Sequence, residues 1–131
     1  GRMPTRTEIV IGTPRELQTT NKLLAAFDVS VYDELRIVVD NIGGSDSVQS
    51  VTVDASVDSD ADSDLDISSG WVQIASRDDF APSKKIANND GASIVVAPVL
   101  WAQMRVSATK VTAVPAPTVT ARASIVGIIR G

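Results

Sequence analysis

Four stretches of this chain alternate apolar and polar residues with a period of two, and that pattern constrains the fold more than any other feature. Leu35, Ile37 and Val39 alternate with Glu34, Arg36 and Asp40, while Val51, Val53, Ala55 and Val57 alternate with Ser50, Thr52, Asp54, Ser56 and Asp58. Ala102, Met104, Val106 and Ala108 alternate with Gln103, Arg105, Ser107 and Thr109, and Val119, Ala121, Ala123 and Ile125 with Thr120, Arg122 and Ser124. Successive side chains of a strand point to opposite faces, so each pattern predicts a strand with one buried face. Shorter strands are expected at 8–11, 71–75 and 93–97. The predicted core is Leu35, Ile37, Val39, Val51, Val53, Met104, Val106, Ala123 and Ile125.

Turn chemistry separates these strands. Asn41-Ile42-Gly43-Gly44-Ser45-Asp46 and Asn88-Asn89-Asp90-Gly91 are rich in residues that tolerate positive φ, and Pro115-Ala116-Pro117 fixes an extended connection. Many short strands with such punctuation predict an all-β fold, an antiparallel β-sandwich of jelly-roll type with about eight strands. A length of 131 residues fits one domain over 1–131, with residues 1–7 as a flexible N-terminal arm. One segment reads two ways. Thr13-Pro14-Arg15-Glu16 resembles a capping box opening a helix through Ala26. Yet Leu23, Ala25 and Phe27 also alternate, and Thr19-Thr20-Asn21 forms helix poorly, so an extended or irregular segment is the preferred reading.

Composition removes several function classes. The chain has no Cys and no His, which excludes a disulfide framework, a thiolate zinc site and a histidine base. There is no G-x-S-x-G elbow and no phosphate-cradling glycine loop. The sequence therefore reads as non-enzymatic, with no obligatory cofactor. No apolar run reaches membrane-spanning length, and the opening Gly1-Arg2-Met3-Pro4 lacks the apolar stretch of a signal peptide. Charge is uneven: 37–76 contains eight aspartates and no Lys or Arg, whereas the remainder is mildly basic. An acidic segment disfavours nucleic acid there, and the basic residues are too dispersed for a dedicated groove.

The sharpest local feature is the acidic run with Asp58, Asp60, Asp62, Asp64 and Asp66. Its spacing matches the start of a Ca²⁺ loop but lacks the Gly at the sixth position and the Glu at the twelfth. A solvated, self-repelling loop is the preferred reading, and a Ca²⁺ site the alternative. Trp71 and Trp101 suit core or interface packing better than sugar stacking. Asp78-Asp79 and Lys84-Lys85 flank Phe80-Ala81-Pro82 as a charged surface loop.

The cadence from Ala26 to Ile37, through a Gly turn to Val51–Asp58, then Gly70-Trp71-Val72-Gln73-Ile74 and Met104-Arg105-Val106, resembles small jelly-roll decoration (cement) proteins of tailed bacteriophages. The match covers roughly residues 26–108. It also resembles discoidin-type and other carbohydrate-binding jelly rolls, and the long Asp run departs from both. The phage resemblance implies a virion-surface protein that binds the major capsid protein lattice as a homo-oligomer, a trimer by preference, without nucleic acid or membrane partners. The N-terminal residues Arg2, Pro4, Thr5 and Arg6, with Trp71 and Trp101, are the expected interface. The alternative is a carbohydrate-binding β-sandwich module of a tail or adhesin. A third reading is an accessory domain of an enzyme.

Overall fold

The computed structural model describes residues 4–111 and 118–130. Nine strands are present among them: β1 (Arg6–Val10), β2 (Arg15–Glu16), β3 (Lys22–Asp28), β4 (Glu34–Gly44), β5 (Val48–Ser56), β6 (Val72–Ser76), β7 (Gly91–Val96), β8 (Gln103–Lys110) and β9 (Val119–Ile129). The only helical turn among the described residues is the 3₁₀ turn Arg77–Asp79. The helix weighed for Leu17–Ala26 does not form: β3 occupies the second half of that segment and pairs with β8. Burial of Leu24 and Phe27 on its inner face outweighs the local capping signal.

The pairing follows a simple rule. β2 pairs with β9, β3 with β8, β4 with β7 and β5 with β6, all antiparallel. The chain is thus one long ribbon turned back between β5 and β6. Rolling that ribbon places β4 against β9 and β5 against β8. The strands then divide into two sheets, β1-β9-β4-β7 with β2 also on β9, and β3-β8-β5-β6. Strands that pair in this nested order and split over two sheets make a jelly roll. β1 and β2 share one edge of β9, so the expected eight strands become nine where Gly12-Thr13-Pro14 interrupts that edge.

The core lies between the sheets. Every predicted core residue is buried, joined by Val29, Val48, Val119, Leu24, Phe27, Tyr32, Phe80 and Ile86. Each fully buried aliphatic side chain contributes on the order of 1.5–3 kcal/mol. Val57 departs from its alternation: β5 ends at Ser56, the chain leaves the sheet, and Val57 is 76% exposed. The turn expected over Asn41–Asp46 is partly strand, because β4 runs to Gly44 with an irregular register between Asn41 and Gly43. Gly44 adopts φ +93°, and a Cβ there would lie 1.7 Å from the Thr118 carbonyl oxygen. Asn41 is buried and donates from Nδ2 to the carbonyls of Asp46 and Ile86 at 3.0 Å each. Its side chain replaces ladder bonds where the strand bends away.

The arm expected over residues 1–7 does not extend through Arg6 and Thr7. Arg6 and Thr7 pair with Ile129 and Ile128 as part of β1, because the β9 backbone offers them partners. Gly1–Met3, and with them Arg2, lie outside the described residues, as does Pro115-Ala116-Pro117.

Candidate interaction surfaces

The acidic connection between β5 and β6 folds back over the outer face of its sheet. Its aspartates bond to their own backbone: Asp58, Asp62 and Asp64 each accept, through Oδ1, from the amide two residues ahead, at 2.8, 3.0 and 2.9 Å. These turns set the loop's path without a counterion. The second contribution comes from β8. Gln103 Nε2 donates to the Asp58 and Ala61 carbonyls at 3.0 and 3.1 Å. Arg105 Nη1 donates to the Asp64 and Ile67 carbonyls at 2.8 and 2.9 Å, and its Nε pairs with Asp54 Oδ2 at 2.9 Å. Trp71 lies under the guanidinium, 4.4 Å from ring centroid to Cζ, and its indole N–H reaches the Asp62 carbonyl at 2.8 Å.

The alternation had placed Arg105 on a solvated outer face, yet it is only 4% exposed. The loop covers it, and its donors hold the loop carbonyls of Asp64 and Ile67. Alternation reports which side of a strand a residue occupies, not what lies over that side. The one available signal was the length of the link between β5 and β6, long enough to fold back.

Among the described residues no group of three or more acidic side chains is gathered as a metal ion would require. The carboxylates of Asp58, Asp60, Asp62, Asp64 and Asp66 are strung along the loop rather than turned to one point. Arg105 covers one face of the Trp71 ring, which removes that face from sugar stacking. Trp101 is half-buried against the core.

A different surface is exposed at the end where β5 stops and β8 begins. There the Val29 amide donates to the Ala102 carbonyl at 3.0 Å, the Ala102 amide to Ser56 at 2.8 Å, and the Val99 amide to Asp33 at 2.9 Å. These bonds tie three connections into one support. From it project Val31, Val57 and Leu100, exposed by 56, 76 and 75%. The start of β1 lies at the same end, because Arg6 pairs with Ile129 and the Asp33 amide donates to Ile128. Pro4, Thr5, Arg6 and Trp101 are therefore brought to one end of the sandwich, and the first three are exposed.

Tyr32 fixes β1 to this end. Its ring fills the space above Gly127, where a Cβ would lie 2.3 Å from Cδ1, and its hydroxyl donates to Glu8 Oε1 at 2.8 Å. Burial, then the bond to Glu8 and the nearby negative charge, push its pKa up to about 12. The charged 78–85 segment is anchored by Phe80, which is buried, and by Asp79, which accepts from the Ser76 amide at 2.8 Å.

No helix among the described residues is long and apolar enough to cross a membrane. No family model matches the chain, and no curated protein matches it in sequence. Among solved structures, the chain is similar to the SPBc2 prophage-derived protein YomS, with 12% identity over 96% of each chain and a TM-score of 0.49. It is also similar to a Bacillus endospore appendage protein from a family of disulfide-linked pili, with 11% identity over 98% of this chain and 91% of that one, and a TM-score of 0.45.

Proposed function

We propose that this protein is a non-enzymatic assembly module that docks on a protein lattice, and that the lattice is the outer capsid of a tailed phage. One observation carries the docking reading: Val31, Val57 and Leu100 project from three connections bonded to one another. Exposing large aliphatic side chains on a braced support costs solubility, and it suits a partner that covers them. Pro4, Thr5 and Arg6 stand at the same end, where an extended segment can reach a neighbour. The choice of a capsid as the partner rests on the residue cadence over 26–108. In that role the module stabilises the lattice by mass action, binding the assembled form in preference to free subunits. The carbohydrate-binding alternative is weaker, because Trp71 is stacked beneath Arg105.

The test is co-sedimentation with expanded capsids of the parent phage, beside a glycan array and an oligonucleotide shift assay. Binding to capsids is expected, with Val57→Asp and Leu100→Asp each weakening it about tenfold or more, as loss of a central contact does. Both sites are exposed, so the fold should persist. No capsid binding together with a clear glycan signal would replace this reading with the carbohydrate-binding one.

A further inference from the structure

The five strands on the four edges of the two sheets are not protected equally. On β7 the Ala81 segment closes the free edge, with the Ala81 amide donating to Ser93 at 2.8 Å and the Ser93 amide to Ala81 at 3.1 Å. β3 is bulged between Leu23 and Ala25 and is flanked by the acidic loop at Asp62–Asp66. β6 is irregular where it leaves Val53 for Asp54. β2 is two residues long, and Leu17 beyond it turns inward to bond Val119. β1 has none of these devices. It runs five residues in continuous register on β9, all exposed, and leads directly into Ile11. Ile9 and Ile11 are 64 and 67% exposed. A straight, uncovered edge leaves alternate N–H and C=O groups free to pair with another strand.

We propose that this edge pairs with the same edge of a second copy of the chain, antiparallel across a two-fold axis at Thr7. Charge selects the register. Centring the pair on Glu8 sets two carboxylates opposite each other, which is unfavourable. Centring it on Ile9 sets Arg6 opposite Gly12 and Glu8 opposite Val10, with no charge matched. Centring it on Thr7 sets Arg6 opposite Glu8 of the second copy and Glu8 opposite its Arg6, so both ion pairs form at once. Ile9 then faces Thr5, and the five-stranded sheets join into one continuous sheet. Only one oxygen of Glu8 is engaged by Tyr32, which leaves the other for the incoming guanidinium. Tyr32 holds Glu8 in place for that contact. An isologous pair of this kind closes on itself and stops at two copies, in contrast to the trimer that the phage resemblance implies. The inference does not depend on the capsid reading, since it concerns this chain alone.

The chain has no cysteine, so one introduced thiol reports register directly. Residues directly opposite in an antiparallel pair have Cβ atoms about 4.5–5.5 Å apart, near the range a disulfide spans. Thr7→Cys should cross-link into dimers under mild oxidation, and Ile9→Cys should not. Arg6→Glu should lower the Thr7→Cys dimer yield and weaken association in sedimentation equilibrium about tenfold, as two favourable pairs become repulsive. Adding Glu8→Arg to that variant should restore both. The unmodified chain should show a concentration-dependent monomer–dimer equilibrium. A monomer at every concentration, a trimer, equal cross-linking at residues 7 and 9, or no rescue by the charge swap would each overturn the proposal.

Discussion

Replacing Arg105 with Met tests whether the acidic loop is latched or merely solvated. Met keeps much of the aliphatic volume and removes the guanidinium. The loss is then electrostatic: the pair with Asp54 disappears, and the Asp64 and Ile67 carbonyls lose their donor. Breaking a buried pair by removing one partner costs about 3–5 kcal/mol, mainly because the remaining charge is left uncompensated. The Asp54 side chain retains 16% exposure, so water can reach it once the loop loosens. The expected cost therefore falls near the lower end, about 3 kcal/mol. For a domain of this size that corresponds to a fall in Tm of roughly 12 °C. Chemical denaturation and calorimetry measure it, and limited proteolysis shows whether cleavage within 57–71 accelerates. Asp54→Asn added to Arg105→Met should recover part of the loss, because it removes the stranded charge. A cost below about 0.5 kcal/mol, a surface-substitution value, with unchanged proteolysis would refute the latch.

Two further outcomes follow from named groups. Tyr32 is the chain's sole tyrosine, so its near-ultraviolet absorbance titrates one site. The folded pKa of about 12 lies above the usual 10, so folding favours the protonated phenol. That contribution is complete below pH 10 and is lost as pH rises from 10 towards 12. An absorbance midpoint at 10 in the folded protein would contradict the Tyr32–Glu8 arrangement. Millimolar Ca²⁺ should leave Tm unchanged, since three of the five loop aspartates already serve backbone amides. A site saturated a hundredfold over its Kd would instead add about 2.7 kcal/mol and shift Tm by roughly 10 °C, reversed by chelation.

The sequence made the sandwich readable where one face of a strand meets the core and the other meets water. Leu35, Ile37 and Val39, or Met104 and Val106, have that simple environment, and alternation identifies them. It was silent on Arg105 because the second layer over β8 is a loop, and loop path has no period. The capping pattern at Thr13–Glu16 opens no helix: Arg15 and Glu16 pair with β9, and Leu24 and Phe27 are buried from β3. For the aspartates, residue type and spacing gave a solvated loop as the preferred reading and a cation site as the alternative. The amide two residues ahead, which Asp58, Asp62 and Asp64 each engage, was not among those readings, although the same spacing allows it. The exposed end was hidden for another reason. Val31, Val57 and Leu100 lie far apart in sequence and come to one end only because the ribbon is rolled.

The nested order of strand pairing also ranks the closures that folding must complete. Joining β5 to β6 encloses only residues 57–71, whereas joining β1 to β9 encloses most of the chain. Loop-closure entropy rises with each enclosed length, but each outer pair forms more cheaply once the pair inside it is in place. The route of least entropic cost therefore zips outward from the β5–β6 turn, and the chain's first and last strands meet at the end. Such a fold is dominated by non-local contacts and belongs among slowly folding domains. The Asp-rich segment sits at the point where that zipping begins. Its short-range turns, formed within three residues, narrow the loop's conformations before any distant strand has arrived.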